Sequence, residues 1–409
     1  MKDEYDIVIA GGGMIGTSLA LALAPLNLRV AVVEAVPRDE SQQPSFDDRS
    51  TALSRSSQRM FEAMGLWPDI VATATPIRHV HVSDKGRFGF SHIDAEEQKV
   101  EALGYVVINR VLGEVLHASL ADVELTDWIC PARITGVRLS DDSALSTVET
   151  GDGVRQLESR LLIAADGARS AVRDMMGISA SYVDYEQRAV VGNVMPEQAI
   201  ANRAFERFTD DGPLAILPIA DGRAAFVWTL PPAQADEVMA LDDTEFTEAL
   251  QQAFGTRLGG FFRVGKRVAY PLFLSKANGL VSRRSVLVGN AAHGLHPVAA
   301  QGFNLGLRDV AALGDCIADS RGADGSVDPG SPAVLDEYLR WRRSDQSKLV
   351  YFTDSLVRLF GRNTPPVRVA RNIGMLGFDL IPGVRSLFAR HTMGLAGRLP
   401  RLSRGVPLE

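Results

Sequence analysis

The sequence predicts an α/β protein: a Rossmann-like dinucleotide-binding domain with an inserted, mostly antiparallel β-sheet domain and C-terminal helices. Three observations carry this prediction. An apolar strand, Tyr5 to Ala10, runs into Gly11-Gly12-Gly13-Met14-Ile15-Gly16 and then into helix-forming residues. Two later apolar runs, Leu161 to Ala165 and Ser285 to Val288, are short enough to be buried parallel strands, and each ends in a turn motif. Around these, residues 77–92 and 183–270 change to strand-like pieces with β-type alternation.

The first motif has a part for each need of a dinucleotide. Gly11 allows a sharp turn, Gly13 leaves room for a pyrophosphate, and Gly16 lets the helix pack close to the strand. The helix start then offers free N–H groups and a partial positive charge to the phosphates. Glu34 ends the second strand, Val30 to Val33, about 20 residues on, where a carboxylate accepts hydrogen bonds from a ribose. An acid there favours a 2′-hydroxyl over a 2′-phosphate, so FAD or NAD fits better than NADP.

Pro37 to Phe46 reads as loop, and Asp47 to Leu53 leads into a helix with Met60, Phe61 and Met64 on one side. Ile77 to Val82 and Arg87 to Phe90 alternate around Ser83-Asp84-Lys85-Gly86, a β-hairpin pattern. Helical spacing returns at Val111, Val115, Leu116 and Leu120. Ala204 to Phe208, Leu214 to Leu217 and Ala224 to Leu230 read as strands, Ser320 to Pro332 as a surface loop, and the rest as helical. The expected division is a discontinuous nucleotide-binding domain at 1–75, 100–182 and 271–330, a substrate domain at 76–99 and 183–270, and a helical region at 331–409.

Composition narrows the function. The 409 residues suffice for two or three domains. A net charge of −7 gives no reason to expect nucleic acid. Cys130 and Cys316 are far apart, which supports neither a disulfide framework nor a zinc site. His293 and His296 form H-x-x-H with no third ligand nearby, so no metal is expected. With no basic leader and no uninterrupted apolar run of about 20 residues, a cytoplasmic protein is expected.

A second motif, Ala165-Asp166-Gly167-Ala168-Arg169-Ser170-Ala171-Val172-Arg173, follows the second buried strand. A third begins Gly289-Asn290-Ala291-Ala292-His293 and continues through Pro297 to Gln301-Gly302-Phe303-Asn304-Leu305-Gly306. The ends of parallel strands are where such a sheet binds its ligand. In this order and spacing the three motifs resemble the class A flavin monooxygenases of the para-hydroxybenzoate hydroxylase fold, over nearly the whole chain. The resemblance implies non-covalent FAD held by Gly11, Gly13, Gly16, Glu34, Arg110, Asp166, Gly167, Asn290, Pro297, Gln301, Gly302 and Asn304. It also implies NAD(P)H as transient reductant and O2 as co-substrate, with a flavin C4a-hydroperoxide attacking a phenol ring. Arg49 is the candidate for positioning flavin or substrate; the bland alternative is a salt bridge with Asp47 or Asp48.

Most of that family has Asp where this chain has Asn290. Asn there resembles a subgroup, the 2-polyprenyl-6-methoxyphenol hydroxylases of ubiquinone biosynthesis. So do Asp48-Arg49, His81-Val82-Ser83-Asp84, Arg203-Ala204-Phe205-Glu206-Arg207-Phe208-Thr209 and Leu295-His296-Pro297. The implied activity is hydroxylation of a polyprenylated methoxyphenol. The alternatives are another ring position or phenol, a flavin electron-transfer reductase of the same fold, and a flavin-binding scaffold without turnover. A single Gly-x-Gly-x-x-Gly and no cysteine pair argue against a disulfide reductase. Arg358, Arg362, Arg368, Arg371, Arg385, Arg390, Arg398, Arg401 and Arg404 interleave with apolar residues. That pattern suits peripheral contact with the inner membrane or a biosynthetic complex, and equally a solvated helical cap.

Overall fold

The structure is a computed structural model; it describes residues 2–37, 49–86, 90–294, 301–322, 325–343, 345–346 and 382–409. Asp47, Asp48, His296, Pro297, Arg358, Arg362, Arg368, Arg371 and the Gln301 side chain lie outside the described residues.

The nucleotide-binding unit is built on a parallel core. Lys2–Ala10 lies between Val30–Val33 and Gly153–Ala164, parallel to both, and Ser285–Leu287 extends the sheet beyond Gly153–Ala164. Thr126–Ile129 continues it in parallel beyond Val30–Val33. At the centre of the sheet, Ile7 to Ala10, Val30 to Val33 and Leu161 to Ala164 are continuous apolar runs because both faces are covered there. Ile7, Val8, Ile9 and Leu161 to Ala164 are fully buried. The helices Met14–Leu23 and Gln301–Ala318 pack together where Gly306 meets Ile15; a Cβ on Gly306 would lie 2.7 Å from the Ile15 Cδ1.

The second sheet runs, in spatial order, His293–Gly294, Val268–Ala277, Ala180–Pro196, Ala224–Leu230, Pro213–Pro218, Arg203–Phe208, His79–Asp84, Phe90–Asp94. All neighbours are antiparallel except Arg203–Phe208 and His79–Asp84, which pair in parallel. The long strands Ala180–Pro196 and Val268–Ala277 overrun the expected bounds of 183 and 270. One face carries Phe226 and Trp228 under the helices Pro232–Ala240 and Asp243–Phe254, where Phe246 and Phe254 are buried. Those helices interrupt a stretch whose sequence reads as strands. Asp242 and Glu245 start the second of them with a capping box.

A small sheet of Ser50–Ser54, Thr75–Ile77 and Gly104–Ile108 joins the two units. Residues 50–54 are thus strand, not merely the approach to the helix Arg55–Ala63, which Ser54 caps through the Ser57 N–H. Ile77 and Val106, with Ala52 against them, pack on Ala204, Ala225 and Leu217 of the large sheet. That cluster fixes the uncovered face of the large sheet over the nucleotide-binding unit.

Candidate active site

The first glycine turn is shaped by close approach. Gly11 has φ +99°, a region that favours glycine, and a Cβ there would lie 2.6 Å from the Ala165 carbonyl oxygen. A Cβ on Gly16 would run into the Gly11 carbonyl oxygen. Gly13 is the N-cap of Met14–Leu23 and contributes no side-chain cap of its own. Glu34 is 8% exposed and braces the turn. Its Oε2 accepts the Gly12 N–H at 2.6 Å and its Oε1 accepts the Val36 N–H at 2.8 Å. A carboxylate has about four acceptor positions, so a ribose hydroxyl can still donate to it.

The second motif touches the first. The Ala165 N–H donates to the Ala10 carbonyl at 2.8 Å, which sets Asp166-Gly167 directly beside the Gly11 turn. Gly167 has φ +91°. Asp166 accepts from the Ser170 hydroxyl and, at 3.1 Å, from the Val172 N–H, so it shapes the start of Ala171–Met175. Burial raises its pKa, and these hydrogen bonds pull back against the rise.

The third motif opens with Gly289 at φ +59°, pressed on Ile15. Asn290 follows in the turn Gly289–Ala291, exposed and without a partner among the described residues. Gly302, at the start of Gln301–Ala318, has open space where a Cβ would point. Asn304 is committed differently. Its Oδ1 accepts the Ser54 N–H at 2.8 Å and the Ser57 hydroxyl at 2.7 Å, while its Nδ2 donates to the Ala52 carbonyl at 2.8 Å. It ties the helix to the strand Ser50–Ser54, which is a bracing position.

Arg49 stands just before that strand. Its guanidinium stacks 4.6 Å from the centroid of Tyr270 on the large sheet, and its carbonyl accepts the Asn109 N–H at 2.8 Å. It therefore bridges the two units. Arg110 is exposed on the first turn of Asn109–Ala121 and pairs with Glu114 at 3.1 Å.

Two supports of the site are not among the candidate site residues, although Arg173 belongs to the second motif. Asp309, fully buried in Gln301–Ala318, accepts four hydrogen bonds: Gly289 N–H at 3.0 Å, His293 Nε2 at 2.8 Å, Arg342 Nε at 2.7 Å and Gln346 Nε2 at 2.9 Å. Burial would push its pKa up; Arg342 and His293 overcome that, and the net shift is downward. Asp309 thus holds both ends of the third turn, and His293 acts through it. Arg173, 2% exposed, links the second motif to the third. Its Nη1 donates to the Ala168 and Ala291 carbonyls at 3.1 and 3.2 Å. An acid inside an apolar helical run was the available signal for Asp309; the partner of such an acid is not readable without the fold.

The three turns meet at one end of the parallel sheet, with glycine where a phosphate must approach, a helix start at Gly13 and a buried acid. That donor set fits a dinucleotide cofactor. A family profile described as an FAD binding domain matches residues 4–353. The chain is 38% identical to the ubiquinone hydroxylase UbiL of Rhodospirillum rubrum over 406 residues, covering 98% of this chain and 93% of the relative. The chain belongs to the FAD-dependent ubiquinone hydroxylases. It is also 32% identical to the 3-demethoxyubiquinol 3-hydroxylase of Escherichia coli, covering 95% of this chain and 98% of that one. The p-nitrophenol 4-monooxygenase PnpA of Pseudomonas putida shares the fold, with a TM-score of 0.79 at 20% identity, over 97% of this chain and all of that one. As a flavin hydroxylase of this family the protein binds FAD non-covalently. The matched profile spans the residues of all three turns.

Proposed function

We propose that this hydroxylase acts on a polyprenylated methoxyphenol, in the manner of the 2-polyprenyl-6-methoxyphenol hydroxylases, using NAD(P)H and O2. The observation that carries the reading is the juxtaposition of the three flavin-side turns with the uncovered face of the large sheet, bridged by Arg49 on Tyr270. Bound FAD supplies the electron transfer and oxygen activation. Gly13 leaves room for its pyrophosphate in the turn that Gly11 and Gly16 shape, Glu34 takes its ribose, and Asn290 offers an amide to its ribityl chain. Asp166 and Gly167 shape the neighbouring turn, and Arg110 lies at the rim. The start of Gln301–Ala318 brings a helix N-terminus, worth roughly half a positive charge, to the open space at Gly302. Such a terminus stabilises negative charge on a bound ring. Arg49 orients the ring or the substrate from the other side.

Hydroxylation at another ring position is a second reading, favoured by the relative named a 3-demethoxyubiquinol 3-hydroxylase. Mass spectrometry of quinone precursors in a strain lacking the protein separates the two. Accumulation of a prenylated methoxyphenol supports the first reading, and accumulation of a demethoxyubiquinol supports the second. Unchanged ubiquinone and precursor pools, with no redundant hydroxylase, would refute both.

The approach to a lipid substrate is proposed through the helix Pro382–Thr392, which leaves Leu387, Arg390 and His391 exposed on one face. No helix among the described residues is long and apolar enough to cross a membrane. Three of the C-terminal arginines are engaged on the protein itself. Arg385 pairs with Glu97 at 3.0 Å, Arg398 pairs with Glu337 at 2.6 Å and stacks on Trp341, and Arg401 pairs with Asp315 and Asp319.

A further inference from the structure

The strand Arg203–Phe208 sends its side chains to two different environments. Phe205 meets Phe254 edge to face in the helix-covered core, and Arg203 and Arg207 join Arg257 and His92 around His81 on that side. Ala204 points the other way, into the cluster with Ile77 and Val106 that joins the sheet to the FAD-binding part. Glu206 is two residues on from Ala204, so it faces the FAD-binding part as well. The strand register sets it beside Val82 and Ala215, with Ser91 beyond Val82 and Val227 beyond Ala215. The same row continues through Val191 to Val268, two residues from the Tyr270 on which Arg49 stacks. Glu206 is therefore the one carboxyl in a row, apolar but for Ser91, on the face of the sheet turned toward the flavin side.

Glu206 makes no hydrogen bond or ion pair among the described residues, and its side chain lies deep yet keeps part of its surface open. Burial raises its pKa from 4.5 to about 7, and burial is the sole cause. The flanking arginines are on the opposite face, and the neighbouring strands present Val82, Ser91, Ala215 and Val227. On the same face, His79–Asp84 carries Asp84 at its end, and Arg49 lies at the far end of the row. An unpartnered buried carboxyl weakens a fold. Its folded pKa exceeds its unfolded one, so it costs stability progressively as pH rises above about 4.5. Such a group is kept for what it does to a ligand.

We propose that Glu206 is the general base of this hydroxylase, accepting the proton of the substrate's phenol hydroxyl. The phenol O–H bond breaks and a carboxyl O–H bond forms, leaving a phenolate and a neutral Glu206. The phenolate ring is the stronger nucleophile toward the electrophilic oxygen that the cofactor supplies. The proton returns to the product or to water when the site opens. This rests on the phenol reading of the function above.

The test uses FAD-loaded protein in single turnovers across pH, with two probes. One is a singly prenylated guaiacol; the other is a tetrafluorophenol that is already a phenolate at neutral pH. Wild type should show a rate limb near pH 7 on the guaiacol. Glu206→Gln should lose that limb and fall by about 10²- to 10⁴-fold. On the tetrafluorophenol it should keep its rate to within a few-fold, since no proton needs to be removed. Glu206→Asp should restore part of the limb. Glu206→Gln should also hold FAD and melt no lower than wild type. A Glu206→Gln protein that keeps the limb near pH 7, or that loses both probes equally, would overturn the assignment of the base. A wild type that oxidises NAD(P)H but hydroxylates neither probe would overturn the phenol reading, and the base with it.

Discussion

Replacing Asp309 by Ala should detach the third turn from its helix. The carboxylate accepts four hydrogen bonds, and two of its partners, Arg342 and His293, are 1% exposed. Breaking a buried ion pair from one side costs about 3–5 kcal/mol, because the remaining charge is left in a poor solvent. Asp345 still pairs with Arg342 at its Nη1, so the lower end of that range applies to this contact. The Gly289 N–H, also buried, adds about 1–3 kcal/mol if left unpaired. The two are not additive, since both groups relax into one cavity. We expect a loss of about 3–5 kcal/mol, a large part of the roughly 5–15 kcal/mol that holds a typical domain together. Denaturant unfolding at neutral pH measures it, with flavin fluorescence reporting FAD release. Pairing the change with Arg342→Met removes both charges and should recover part of the loss. The folded pKa of Asp309 lies below its unfolded value of about 3.9, so its contribution is present in full above about pH 4 and fades as pH falls. The difference between wild type and Asp309→Ala should narrow in the same window. An Asp309→Ala protein within 1 kcal/mol of wild type, retaining FAD, would refute the keystone role.

Three further outcomes follow from the geometry. Gly13→Val should abolish FAD binding without unfolding the protein, since a branched side chain at the helix start occupies the pyrophosphate's approach; flavin absorbance after gel filtration reads this directly. Asn290→Asp should retain FAD, whereas Asn290→Leu should weaken binding by about 1–3 kcal/mol through an unmet ribityl hydroxyl, measurable by fluorescence titration. Leu387→Asp with Arg390→Glu should reduce sedimentation with anionic vesicles by roughly tenfold at low salt and leave FAD binding intact, with about 1 kcal/mol for the basic residue and more for the apolar one.

The parts of this protein legible in the sequence are those set by neighbouring residues. A glycine turn, the strand before it and the helix after it are contiguous, so Gly11, Gly13, Gly16 and their elements could be placed from the chain alone. Ser285–Leu287 was likewise visible as a short apolar run. The strand Gly153–Ala164 was legible only over its buried end from Leu161, because its first half is a polar hairpin arm paired with Ala144–Thr150. The helices Pro232–Ala240 and Asp243–Phe254 were hidden by the apolar residues they bury, although the Asp242 and Glu245 capping pair announced the second of them. Asn304 shows the other limit. It sits in the third motif, yet its amide is turned to the strand Ser50–Ser54, a partner some 250 residues earlier in the chain.

Charge is where sequence and structure separate most. The C-terminal arginines form a pattern in one dimension that suggests a single basic surface. In three dimensions Arg385, Arg398 and Arg401 find acids on three other parts of the chain, and among the described residues Arg390, on the exposed face of its helix, and Arg404 remain as expected for a docking surface. Glu206 is the converse case. Between two arginines, its neighbours in the chain suggest a solvated or paired acid. The alternation of the strand sends those arginines to the opposite face and leaves the carboxyl among Val82, Ala215 and Val227, where burial alone sets its proton affinity. A one-residue change of register would exchange these environments. The chemistry at Glu206 therefore depends on the packing that fixes the strand's register. Phe205 in the aromatic core and Ala204 against the joining sheet hold it there.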